Sequence, residues 1–95
     1  MAAQLDHLVV AARTLDEGVQ WCEATLGVTP GPGGKHPLMS THNRLFSIAS
    51  NAIPNAFFEI IAIDADAPPP GRARWFGLDS IDLSSGPRLV AYVAR

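Results

Sequence analysis

Two stretches rich in proline and glycine, "VTPGPGG" at 28–34 and "DADAPPPG" at 64–71, cut this 95-residue chain into short pieces. Proline lacks a backbone N–H and locks φ, and glycine weakens any strand it enters, so neither stretch can form a helix interior or a central strand. The fold must be assembled from short elements between these breaks, and at this length they share one modest core. With 47% apolar and 17% charged residues the chain has the composition of a globular protein.

The pieces have clear periodicities. Residues 5–12 read as a strand with Leu8 and Val10 on one face and His7, Val9 and Ala11 on the other. "TLDEGVQWCEATLG" follows, with Thr14 as N-cap, Glu17 completing a capping box, Leu15, Val19, Cys22 and Leu26 at helical spacing, and Gly27 as the stop. Any strand around Val28–Pro32 is expected to be short or irregular, with a loop from there to about Thr41. "NRLFSIAS" and "AFFEIIAI" alternate as two strands of a hairpin around "NAIPN". A linker, a short helix or turn in "RARWFGLDS" and a last strand "RLVAYVAR" complete the order.

Several functions are excluded or disfavoured. A net charge of −2 with scattered Lys and Arg leaves no footprint for nucleic acid or an anionic membrane. The start has no basic region followed by an apolar one, and no apolar run approaches the ~20 residues of a membrane span, so a cytoplasmic protein is the expectation. The single cysteine, Cys22, forms no intrachain disulfide. No GxGxxG opens a helix, no GKS or GKT follows the glycines, and no serine lies in a nucleophile elbow.

Two residues break the apolar pattern of the strands. Glu59 lies between Phe58 and Ile60 in "AFFEIIAI", where a buried carboxylate costs several kcal/mol unless it is paired, hydrogen-bonded or bound to metal. Arg44 or Arg72 are candidate partners across the sheet. His7 is the other, and an imidazole and a carboxylate facing one cavity make half of a site for Zn, Mn, Fe or Ni. His36, His42 and Asn43 lie around the loop and form a candidate binding rim, and Trp75 either closes a small apolar pocket or docks the linker on the core.

"LDHLVVAARTLDEGVQWCEATLGV", "GGKHPLMSTHNRLF", "AFFEIIAI" and "PRLVAYVAR" together resemble the glyoxalase-like branch of the vicinal oxygen chelate superfamily. The resemblance implies an α+β fold, a βαβββ module of the glyoxalase/bleomycin-resistance type, with a mixed sheet covered on one side by a helix. It implies a module over 1–64, a proline-rich linker over 65–87 and, at 88–95, the first strand of a second, incomplete module. In such families the first and last strands of a module supply metal ligands, positions that match His7 and Glu59, with Glu59 also the candidate catalytic residue. His36, His42, Asn43 and Trp75 are the candidate substrate-binding residues.

The last strand departs from the pattern, because Leu89 or Arg88 stands where His7 stands in the first, and neither ligates metal. The resemblance therefore supports three expectations. The first is a divalent-metal-dependent lyase, isomerase or dioxygenase acting on a small oxygenated molecule. The others are a metal-free small-molecule binder and a truncated fragment of a two-module protein. A homodimer, paired through the edge of the last strand or by exchanging it, would complete a site.

Overall fold

The computed structural model describes residues 3–95. The elements are β1 (Leu5–Ala11), α1 (Leu15–Leu26), β2 (Gly31–His36), β3 (Thr41–Ser47), β4 (Phe57–Ile63), a single 3₁₀ turn at Trp75–Gly77 and β5 (Arg88–Ala94). They build one mixed five-stranded sheet in the order β2-β3-β4-β1-β5, with β1 parallel to β4 and every other neighbouring pair antiparallel. This is the α+β, βαβββ arrangement, with the sequence-final strand added beside β1. No helix among the described residues is long and apolar enough to cross a membrane.

The helix begins where its cap dictates. Thr14 is extended and its hydroxyl accepts the Glu17 N–H at 3.1 Å, while Gly27 closes the helix with φ of 69°, a left-handed conformation that favours glycine. The face it buries is rotated from the expected one. Gly18 and Cys22 are its buried residues, Leu15 and Trp21 pack beside them, and Leu26 remains 45% exposed. The cause is Gly18: a Cβ there would overlap Ile60, so the helix makes its closest approach to the sheet through that glycine. Burial pushes the Cys22 thiol pKa up, which keeps it a packing residue.

Two apolar layers lie on opposite faces of the sheet. On the helix side Val10, Ala12, Cys22, Phe58 and Ile60 form one cluster. On the other side Val9, Ala11, Ile61 and Leu78 form a second, to which Phe76, Ile81 and Leu83 add. The segment between β4 and β5 thus does more than link: part of it crosses this second face.

The glycine-rich stretch differs from the expectation. It forms β2, displaced to Gly31–His36 and paired with β3, where a loop to Thr41 was expected. Its irregularity is absorbed by a register shift between Pro32 and Lys35, and its position at the sheet edge makes the proline tolerable. The turn at residues 37–40 closes the β2–β3 hairpin, with Ser40 at φ of 50° and its hydroxyl bonded to the Pro68 carbonyl.

Candidate functional site

His7 and Glu59 meet because β1 and β4 are adjacent and parallel. His7 is opposite Phe57 and Val9 is opposite Glu59, so the histidine and the carboxylate are diagonal neighbours on the sheet face away from α1. His7 Nε2 lies 3.4 Å from Glu59 Oε1, and the side chains are only 15% and 8% exposed. The imidazole is held on two sides. Its ring stacks on Phe57 with centroids 4.4 Å apart and planes 9° from parallel, and its Nδ1 lies 2.6 Å from Asp6 Oδ2. Arg95 pairs with the other Asp6 oxygen. Hydrogen bonds from His7, and then from Arg95, hold the Asp6 carboxyl below its usual pKa range.

Among the described residues Glu59 is paired with no arginine. Arg44 is directed to backbone carbonyls of Gly31 and Pro30, at 3.1 and 2.7 Å. Asn43 takes the carboxylate instead: its Nδ2 donates to Glu59 Oε2 at 2.7 Å. The orientation of that amide is fixed from its other end, because the Gly34 N–H donates to Asn43 Oδ1 at 2.8 Å. Asn43 Nδ2 also lies 3.3 Å from His36 Nε2, and His36 Nδ1 lies 2.9 Å from the Thr41 hydroxyl. One network therefore runs from the β2 backbone through Asn43 to the buried carboxylate.

Gly33 makes this network possible. A Cβ at that position would overlap both the Asn43 side-chain oxygen and its backbone carbonyl. Gly33→Ala is accordingly expected to push β2 off β3 at a cost of about 2 kcal/mol, read as a lower urea midpoint with an unchanged slope.

A cavity of about 300 Å³ opens over the pair, with Asn43 and His36 at its polar side and Leu45, Phe57, Trp75 and Val93 among its apolar walls. Trp75 stands edge-on to His36, with ring centroids 5.1 Å apart. It is 37% exposed, so it forms a rim and not a core anchor. His42 belongs elsewhere. It lies opposite Ala62, whose neighbours in the strand alternate with the site residues, so it faces the α1 side of the sheet and lines a different depression. Neither Asp6 nor Phe57 was singled out from the sequence. Asp6 adjoins His7, but its reach around the strand start to Nδ1 is a tertiary detail; Phe57 was legible as a same-face neighbour of Glu59.

Trp75 is carried by a segment that Arg74 ties down. Arg74 Nε donates to the Met39 carbonyl at 3.0 Å and Nη1 to Asp79 Oδ1 at 2.6 Å, while the Arg74 backbone N–H donates to Asp79 Oδ2 at 2.7 Å. The backbone bond first, and then the side-chain bond, lower the Asp79 pKa. A lowered carboxylate pKa contributes order above the ordinary aspartate range and loses it as pH falls through the lowered value. The part of the Trp75 indole N–H shift that depends on Asp79 is thus expected to set in only below about pH 4, and Asp79→Asn to remove that low-pH step.

A model of the glyoxalase-like domain family matches residues 5–95, nearly the whole chain. The chain belongs to the glyoxalase-like domain family. That places it in the vicinal oxygen chelate superfamily and agrees with the βαβββ order seen in the sheet. Comparison with curated proteins and with solved structures gave no match.

For this glyoxalase-like domain the question of metal fit turns on donor atoms. Asp6 beside Nδ1 assigns the histidine proton to that nitrogen, as in carboxylate–histidine–metal arrangements. Nε2 then turns a lone pair toward Glu59 Oε1, an arrangement that needs a proton or a cation between them. The observed 3.4 Å is also the separation of two atoms each about 2.1 Å from a tetrahedral ion. The pair fits two positions of such an ion. Among the described residues no group of three or more His, Cys, Asp or Glu is placed to hold one.

Proposed function

We propose that this glyoxalase-like domain is a divalent-metal-dependent enzyme module of lyase, isomerase or dioxygenase type acting on a small oxygenated molecule, with His7 and Glu59 as two of the metal's ligands. The observation that carries the reading is the 3.4 Å approach of His7 Nε2 to Glu59 Oε1 inside a cavity. A bound metal there would polarise two adjacent oxygens of the small molecule. The chain's own residues do the rest. Asp6 holds the His7 tautomer, Asn43 orients Glu59, and Leu45, Phe57 and Val93 keep water from the pair. His36 and Trp75 border the place where the molecule would enter.

Zn, Mn, Fe and Ni all suit an imidazole and a carboxylate. The remaining positions would be open to water, to the small molecule or to a second copy of the chain. A second copy would add at the outer edge of β5, where Leu89 and Tyr92 are 65% and 76% exposed. Light scattering at micromolar concentration is expected to show a dimer; a monomer that still binds metal would assign those positions to water and the small molecule.

Equilibrium dialysis against each of the four ions, followed by mass-spectrometric metal analysis, tests the reading. One ion is expected to bind stoichiometrically, and His7→Ala or Glu59→Gln to weaken it by at least about a hundredfold. A second reading rests on Asn43 and on the aromatic walls. Because Asn43 already satisfies one carboxylate oxygen, the cavity could hold an apolar small molecule without metal. Folded protein that takes up no ion in dialysis would establish that reading over the first.

A further inference from the structure

A second groove lies beyond Trp75. It has a volume of about 420 Å³, and its walls include Lys35, His36, Leu38, Met39, Arg72 and Trp75. His36 and Trp75 also line the cavity over His7 and Glu59, so the two depressions share a wall made of two rings in edge-on contact. The groove combines features that folding alone leaves without purpose. Leu38 is 73% exposed and Trp75 37% exposed, although burying either would stabilise the chain. Two cations stand beside this apolar surface. Arg72 takes part in no ion pair or side-chain hydrogen bond among the described residues. Lys35 is 72% exposed and forms a long ion pair, 3.6 Å, with the buried Asp64, a contact without hydrogen-bond length that leaves its N–H donors to solvent. Of the other acidic groups nearby, Asp79 is engaged by Arg74, and Asp66 lies with Asp64 in the adjoining depression, not among the walls of this groove.

From this juxtaposition we infer that the groove binds a small organic anion with an apolar body, its carboxylate or similar group between Lys35 and Arg72 and its body on Leu38, Met39 and Trp75. The chemistry is complementary at each end. Arg72 offers a planar fork of donors that matches a carboxylate, and Lys35 adds a mobile point charge. The Trp75 face and the Leu38 side chain give area for an aliphatic or aromatic body. This goes beyond the metal reading and does not depend on it, although the shared wall makes the groove the natural place for the remote end of a molecule held at His7 and Glu59.

The test uses two probes with one body and different heads, 4-phenylbutyrate and 4-phenyl-1-butanol, measured by isothermal titration calorimetry on the whole chain. Phenylbutyrate is expected to bind at least about tenfold more tightly than the alcohol, and raising the salt is expected to narrow that difference. The double variant Lys35→Gln/Arg72→Gln is expected to abolish the preference while leaving the alcohol's affinity unchanged, and Arg72→Gln alone, which keeps the pairing of Lys35 with the buried Asp64, to reduce the preference without touching the fold. His7→Ala is expected to leave phenylbutyrate binding intact while removing metal, which separates failure of the groove from failure of the metal site. Equal affinity for the two probes, no binding of either up to about 10 mM, or a preference that survives in the double variant would each overturn the inference.

Discussion

Asn43→Leu is expected to destabilise the protein by about 3 kcal/mol, because it removes a charge-assisted hydrogen bond to a buried carboxylate together with a bond to the β2 backbone. The leucine has similar volume, so the loss comes from polar satisfaction and not from a cavity. Glu59 Oε2 is left without its 2.7 Å donor and the Gly34 N–H without its acceptor. Asn43→Asp separates the two halves of that effect. It keeps an oxygen for Gly34 but sets a second carboxylate against Glu59, and is expected to cost at least as much as the leucine. Urea unfolding of the two variants checks both results. An aspartate variant as stable as the parent would mean that the amide does not donate to Glu59. If Glu59 ligates metal, Asn43→Leu is also expected to weaken metal binding by about 10- to 100-fold, the usual effect of losing a partner that orients a ligand.

Ile60→Ala is expected to cost about 3 kcal/mol, a large share of the roughly 5–10 kcal/mol that holds a domain of this size together. Ile60 is 0% exposed, lies in the layer beneath α1 and fills the space left open by Gly18. The reciprocal change, Gly18→Ala, overpacks the same contact and is expected to cost about 1–3 kcal/mol. The two are coupled by geometry, since the methyl added at Gly18 occupies volume vacated at Ile60. The double variant should therefore be less destabilised than the sum of the single changes. Strict additivity in thermal or urea unfolding would show that α1 does not sit on Ile60 as described.

Much of this fold was legible in the sequence because local signals agreed with the tertiary arrangement. The Thr14 cap, the Gly27 stop and the two-residue alternation of "LDHLVVA" and "FFEIIAI" each set an element and its faces. The alternation alone put His7 with Val9 and Glu59 with Ile61. What brought the pair together, the parallel pairing of β1 with β4, is a non-local fact that no local pattern encodes.

The misreadings have similar origins. The strand expected around Val28–Pro32 lies instead at Gly31–His36, because its proline and glycines contradict strand propensity and its position is set by pairing with β3 and by the Asn43–Gly34 bond. Arg44 as a partner for Glu59 failed on the period of the strand: counting back from Glu59's face reaches Leu45 and Asn43, and Arg44 points the other way. The same parity removes His42 from the cavity and keeps Asn43 in it. The rotation of α1 was not readable from apolar spacing, because the deciding residue, Gly18, has no side chain to count.

The proposed role of His7 and Glu59 is to hold one divalent ion between them. Crystals grown in the presence of Mn or Zn, measured at an energy where that ion scatters anomalously, test it most directly. An anomalous peak is expected about 2.0–2.2 Å from both His7 Nε2 and Glu59 Oε1, with Asp6 still on Nδ1. A well-ordered His7–Glu59 pair in direct hydrogen-bond contact, with no anomalous density near it at millimolar ion, would contradict it.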